Sequence, residues 1–149
     1  MSHKEFMLMA LAVSKQALPA CLPNPPVGCV IVRHGKVIAT GYTHAPGLHH
    51  AEMDALSKVS GSLEDCDMYV TLEPCSFTGR TPSCARTLAE RNPGRVFVAL
   101  IDPDPRNQGK GIDIVRNAVP QTETGLCASE VSAFLTPYLC SSLTADAPG

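Results

Sequence analysis

Val27-Gly28-Cys29-Val30-Ile31-Val32-Arg33-His34-Gly35-Lys36-Val37-Ile38-Ala39-Thr40-Gly41-Tyr42 is the stretch from which the fold is built. Residues 27–32 form a continuous apolar run rich in Val and Ile, the pattern of a strand buried on both faces. His34-Gly35-Lys36 turns the chain, and residues 37–42 are its hairpin partner.

Upstream, Ser2-x-x-Glu5 is a capping box, and Phe6, Met9, Ala10, Val13 and Ala17 recur at helical spacing. An amphipathic helix therefore opens the chain and ends near Leu18, before Pro19. Asn24-Pro25-Pro26 breaks regular structure. Downstream, residues 43–49 are a loop, and a second helix begins near His50 and runs to about Val59, with Gly61 available to close it. Residues 68–72 are a short strand ended by Glu73-Pro74-Cys75. Thr81-Pro82 reads as an N-cap followed by proline at the first helical position, so a helix carries Cys84 to about Glu90. Asn92-Pro93-Gly94 is a turn, residues 95–101 are another buried strand, and Asp102-Pro103-Asp104-Pro105 is a rigid loop. A helix over 111–118, a weak edge strand over 119–125 and a helix over 129–139 interrupted near Pro137 complete the order. This alternation predicts an α/β class chain, a three-layer α/β/α domain around a mixed sheet. The domain is expected to span residues 1–141, with 142–149 a frayed tail.

The chain has 149 residues, enough for one domain, and a hydrophobic fraction of 44% supports an ordinary core. A net charge of −2, scattered Lys and Arg, and no Trp argue against a nucleic-acid partner. No apolar run approaches bilayer length, and the first residues do not resemble a signal peptide, so no membrane partner is expected. The cysteines number seven, an odd count for a disulfide framework. Reduced thiols in a cytoplasmic protein are the expectation. Cys21, Cys29, Cys66, Cys127 and Cys140 have no partner at metal-ligand spacing and are expected to be packing or incidental thiols.

The remaining two cysteines carry the chemistry. His50, Cys75 and Cys84 are one histidine and two cysteines, a set that holds Zn²⁺ tetrahedrally and leaves the fourth position to water. His50-Ala51-Glu52 places a carboxylate two residues from the histidine. A metal that activates water, beside a carboxylate that is not a ligand, is the working set of a zinc-dependent deaminase, with Glu52 as proton carrier. Residues two apart do not share a helix face, so His50 and Glu52 meet in one pocket only if it wraps around the helix end. A lone histidine at a helix start would carry no such implication; the accompanying carboxylate and cysteines do.

Longer motifs surround these residues: Asn24-Pro25-Pro26-Val27-Gly28, residues 41–44, Gly47, residues 69–76, Gly79-Arg80-Thr81-Pro82 with Cys84, and Asp102-Pro103 through Gly109-Lys110-Gly111. In these the chain resembles the pyrimidine deaminases of riboflavin biosynthesis, within the cytidine-deaminase-like superfamily. The resemblance implies that fold, with about five strands. It implies zinc at His50, Cys75 and Cys84, and hydrolysis of the exocyclic amine of a ribosylaminopyrimidinone 5′-phosphate with release of ammonia. It places Asn24 and His44 at the pyrimidine pocket and Arg80 against the phosphate. An amide can read a ring edge, and a guanidinium can grip phosphate. The competing readings, to which the surrounding motif gives less weight, are Asn24 as a turn former before proline and Arg80 as a solvated loop charge.

Phe77, Asp102 and Asp104 join the candidate substrate-binding set. Phe77 stands where the family usually has histidine, and Asp104 where it usually has asparagine. Those departures favour an alternative, a deaminase of another aminopyrimidine or nucleoside-like heterocycle. Many members carry a C-terminal reductase domain; the expectation here is either a stand-alone deaminase paired with a separate reductase or a relative recruited to another aminopyrimidine or nucleoside-like substrate. A nucleic-acid editor would need a basic groove, and an idle zinc module would have no use for Glu52. A homo-oligomer, a dimer, is expected from the small α/β architecture and its apolar first helix.

Overall fold

A computed structural model describes residues 2–78 and 83–144, the last five of these by backbone alone. Its elements are α1 (His3–Ser14), β1 (Gly28–Arg33), β2 (Lys36–Tyr42), α2 (Ala51–Leu56), β3 (Cys66–Leu72), α3 (Cys84–Arg91), β4 (Arg95–Leu100), α4 (Lys110–Ala118), β5 (Thr122–Thr124) and α5 (Ala128–Thr144). A 3₁₀ turn, Lys15–Ala17, follows α1.

The sheet has five strands in the order β2-β1-β3-β4-β5. β1 is antiparallel to both β2 and β3, whereas β3–β4 and β4–β5 are parallel, so the sheet is mixed. Side chains alternate along each strand, and the two faces meet different helices. Cys29, Ile31, Met68, Val70, Val96 and Val98 pack against Ala51 and Ala55 of α2, Ala85 and Leu88 of α3, and Ile112 and Val115 of α4. Val30, Val32, Tyr69 and Phe97 pack against Phe6, Met7 and Ala10 of α1 and Val131 and Leu135 of α5. Burial on both faces is why residues 28–32 are apolar without alternation. The three layers follow from it.

The capping box at α1 is formed: Ser2 Oγ accepts the Glu5 N–H at 3.2 Å and Glu5 Oε1 accepts the Ser2 N–H at 3.0 Å. The hairpin turn is tighter than expected. His34 and Gly35 alone make it, with φ of 50° and 77°, the two positive values of a type I′ turn, and Lys36 already lies in β2. α2 ends a turn earlier than the expected Val59. Lys58 and Val59 donate to Ala55 and Leu56, three residues back, which tightens the chain out of α-helix. α3 is capped by Ser83 rather than Thr81. Ser83 Oγ accepts the Arg86 N–H at 3.3 Å, and residues 79–82 lie outside the described residues. α5 continues through Pro137 to Thr144. The proline removes one helical donor without ending the helix.

α1 crosses β1 at very close range. A Cβ at Gly28 would lie 2.0 Å from the Ala10 carbonyl oxygen and 2.9 Å from the Ser14 nitrogen, both backbone atoms that no rotamer change can move. Gly28→Ala should therefore lift α1 from the sheet and cost about 1–3 kcal/mol or more, read as a lower urea midpoint at unchanged m-value.

Candidate active site and metal centre

His50, Cys75 and Cys84 come from three separate elements. His50 is the N-cap of α2, with extended backbone at φ −77° and ψ 169°. Because it precedes the helix, the rule that residues two apart face different ways does not apply. Its imidazole turns toward the end of β3 while Glu52, in the first turn, is only 4% exposed. Cys75 follows the C-terminal end of β3, and Cys84 is the first residue of α3.

Three bonds tie Cys75 to the start of α3. Its carbonyl accepts from Ser83 Oγ at 2.8 Å and from the Ala85 N–H at 3.0 Å, and its Sγ accepts the Cys84 N–H at 3.3 Å. His50 Nδ1 lies 3.9 Å from the Cys75 sulfur and 3.3 Å from the Cys84 sulfur. All three ligand atoms fall within 4.8 Å of one another. A tetrahedral zinc with bonds of about 2.3 Å to sulfur and about 2.0 Å to nitrogen sets nitrogen–sulfur separations near 3.5 Å. The donor set therefore fits zinc in both chemistry and spacing; thiolate with imidazole favours that ion over the hard, oxygen-seeking cations.

The local electrostatics point the same way. A hydrogen bond from Cys84 holds the Cys75 thiol down at about 4, against the opposing effect of burial and with help from His50. Cys84 is pushed up by that same bond to Cys75 and by burial. Burial raises Glu52 to about 7, although His50 draws it down. Acidic groups are thus packed where they cannot all ionise, an arrangement that a divalent cation relieves.

Two side chains hold this site from behind. Glu73, buried where β3 ends, accepts backbone N–H bonds from Asp102 and Gly109 at 3.0 Å each and from Ile112 at 2.9 Å. Asn107, fully buried, accepts the Ser76 N–H at 2.9 Å and donates to the Pro74 carbonyl at 3.2 Å and to Asp102 Oδ2 at 3.3 Å. Together they lock the segment bearing Cys75 to the loop before α4.

The substrate-binding candidates fall into different situations. His44 Nε2 lies 3.0 Å from Asp54 Oδ2, and its ring stacks on Tyr42 with centroids 4.8 Å apart. Asn24 is half-buried and donates its backbone N–H to the Cys21 carbonyl. Asp102 uses both carboxylate oxygens within its own loop, on the Asp104 N–H and the Asn107 amide. Asp104 is engaged by the guanidinium of Arg106, which also sits over the Phe77 ring at 5.0 Å. The extra carboxylate is thus charge-compensated. Arg80 lies outside the described residues. Glu73, Asn107 and Asp54 were not identified from sequence. Glu73 carried a weak signal, an acid at the end of an apolar strand; Asn107 and Asp54 carried none.

Residues 1–100 match the family described as the cytidine and deoxycytidylate deaminase zinc-binding region. The chain is 42% identical over 134 residues to the riboflavin biosynthesis protein RibD of Chlamydia pneumoniae, covering 90% of itself and 36% of that relative. It therefore spans little more than a third of that protein's length. It is 33% identical over 134 residues to the diaminohydroxyphosphoribosylamino-pyrimidine deaminase of Buchnera aphidicola subsp. Schizaphis graminum, covering 90% of itself and 91% of that protein. Among solved structures, RibD of Acinetobacter baumannii superposes with a TM-score of 0.88 at 37% identity, over 95% of this chain and 40% of that one.

Glu73→Gln keeps the size of the side chain but removes its charge and replaces one acceptor oxygen with a donor. At least one of the three backbone N–H groups then faces an amide donor. Each bond of this kind to a charged group contributes about 1.5–3 kcal/mol. Loss of at least that much, read as a lower urea midpoint, is expected together with weaker zinc retention in dialysis against a chelator.

Proposed function

The chain belongs to the zinc-binding cytidine and deoxycytidylate deaminase family, and we propose that it hydrolyses the exocyclic amine of a ribosylaminopyrimidinone 5′-phosphate, a riboflavin precursor, releasing ammonia. The observation that carries this reading is the buried Glu52 carboxylate beside a His50, Cys75 and Cys84 trio at zinc spacing. Relatives named for riboflavin biosynthesis and for this pyrimidine deamination support the substrate class.

In this proposal His50, Cys75 and Cys84 are the ligands. Zinc supplies a water activated near neutral pH. Glu52 takes a proton from the attacking water, delivers it to a ring nitrogen and later carries one to the departing amine. Its burial keeps bulk water from competing for that proton. Asn24 and His44 face the ring, and Arg80 grips the phosphate. Phe77, capped by Arg106, and Asp104, paired with the same guanidinium, form an altered rim. A second reading keeps this chemistry on another aminopyrimidine or nucleoside-like heterocycle, favoured by Phe77 and Asp104, which depart from the family pattern.

Residues 1–141 are proposed as the deaminase domain of a cytoplasmic protein; the expected tail boundary at 142 falls inside α5, which runs to Thr144. Among the described residues no helix is long and apolar enough to cross a membrane. Self-association is proposed through exposed apolar surface such as Val37 and Ile38 on the edge strand β2. A dimer is the expected light-scattering mass at micromolar concentration; a monomer there refutes it.

Ammonia release from the phosphorylated diaminopyrimidinone tests the activity. Glu52→Gln should lower turnover by about 10²–10⁴-fold with zinc retained, whereas Cys84→Ser should lose the metal as well. Wild-type turnover in Glu52→Gln would remove the assigned role. Turnover of the unphosphorylated analogue alone would select the second reading.

A further inference from the structure

α2 carries a second buried carboxylate whose partners are not the metal-ligating trio. Asp54 is 8% exposed and lies one turn beyond His50. Its Oδ2 accepts the Tyr42 N–H at 3.1 Å and stands 3.0 Å from His44 Nε2, while Lys58 Nζ lies 3.6 Å from Oδ1. The end of β2 is pressed onto α2: a Cβ at Gly41 would lie 2.4 Å from the Ala51 carbonyl oxygen and 3.0 Å from the Asp54 Cβ. Asp54 is therefore fixed by backbone on two elements, and His44 is held between that carboxylate and the Tyr42 ring, 16° from parallel.

An ionised carboxylate can only accept, so a hydrogen bond across this 3.0 Å contact puts the proton on Nε2 of His44. In the neutral ring this leaves a lone pair on Nδ1. Nδ1 has no hydrogen-bond partner among the described residues, and the side chain is 36% exposed. Burial opposes the ionised form of Asp54, yet the bonds from His44 and Tyr42, with Lys58 nearby, hold its carboxyl below the usual range.

We propose that Asp54 is a positioning residue for the deamination. It sets the plane and tautomer of His44 so that Nδ1 is presented as an acceptor to an N–H of the heterocycle. This rests on the reading of His44 as substrate-facing. A ring edge bearing an amino group or ring N–H satisfies that acceptor, whereas an edge of carbonyls alone leaves two acceptors opposed. The two carboxylates of α2 then divide the work: Glu52 moves protons and Asp54 selects the ring through His44.

The zinc-loaded full chain, labelled with ¹⁵N-histidine, is examined at mildly alkaline pH, where an ordinary imidazole is neutral. His44 in the wild-type protein should show the Nε2–H tautomer. Asp54→Asn, whose amide can donate to Nε2, should populate the Nδ1–H form. It should also raise KM roughly three- to tenfold, the worth of about one hydrogen bond, with kcat within about twofold and zinc retained. Asp54→Glu should restore part of the KM. In a His44→Ala background, Asp54→Asn should change KM no further. A wild-type Nδ1–H tautomer, or the same KM penalty in both backgrounds, overturns the proposal; the latter would mean that Asp54 acts through the Tyr42 backbone. The tautomer spectrum of the wild-type chain needs no variant to fold. A wild-type chain with no turnover of the pyrimidinone would defeat the assigned activity, while the tautomer would still decide the Asp54–His44 assignment.

Discussion

The Glu73 carboxylate, buried where β3 ends, accepts backbone N–H bonds from Asp102, Gly109 and Ile112. The position of Cys75 follows from that interaction. Cys75 lies two residues further on, in a segment with no ladder of its own, held between this anchor and the three bonds from the start of α3. Charged-acceptor bonds of about 1.5–3 kcal/mol each draw the loop after β4 and the start of α4 against it. Asn107 closes the other side by bonding Pro74 and Ser76. A metal centre needs ligand atoms held within a few tenths of an ångström, and here one sulfur depends on a carboxylate that never touches the ion.

The opposite side of the site rests on the sheet. β1 runs antiparallel to β3, β3 parallel to β4, and α2 and α3 both begin beside the C-terminal end of β3. Ligands collect at such points because chain ends diverge there and leave room. His50 enters as an N-cap, Cys84 as a first helical residue, and the Cys84 N–H completes the environment of the Cys75 sulfur. The acidic groups so gathered, two thiols and the Glu52 carboxyl, shift one another in opposite directions. That conflict is the electrostatic counterpart of the spacing: both call for a cation.

The layered fold was legible in residues 27–32 because burial on both faces removes polar alternation from a strand. The capping box at Ser2 and Glu5 was legible because its partners are three residues apart. The cap of α3 was misassigned. Thr81-Pro82 has the right local form, but Ser83 also bonds the distant Cys75 carbonyl, a contact no local rule contains. His50 and Glu52, two residues apart, reach one site around the helix end, as the spacing requires, because the helix starts one residue after the histidine.

The sequence by itself determined the donor types, the strand that must be covered on both sides and the family. These rest on residue chemistry and on periodicities that act over a few positions. Tertiary structure alone decided that His50 meets sulfurs 25 and 34 residues away, that Glu73 reaches an amide 39 residues on, and that Asp54 faces His44 across the end of β2. Such distances are set by how the helices pack onto one twisted sheet, and packing is a property of all the side chains at once.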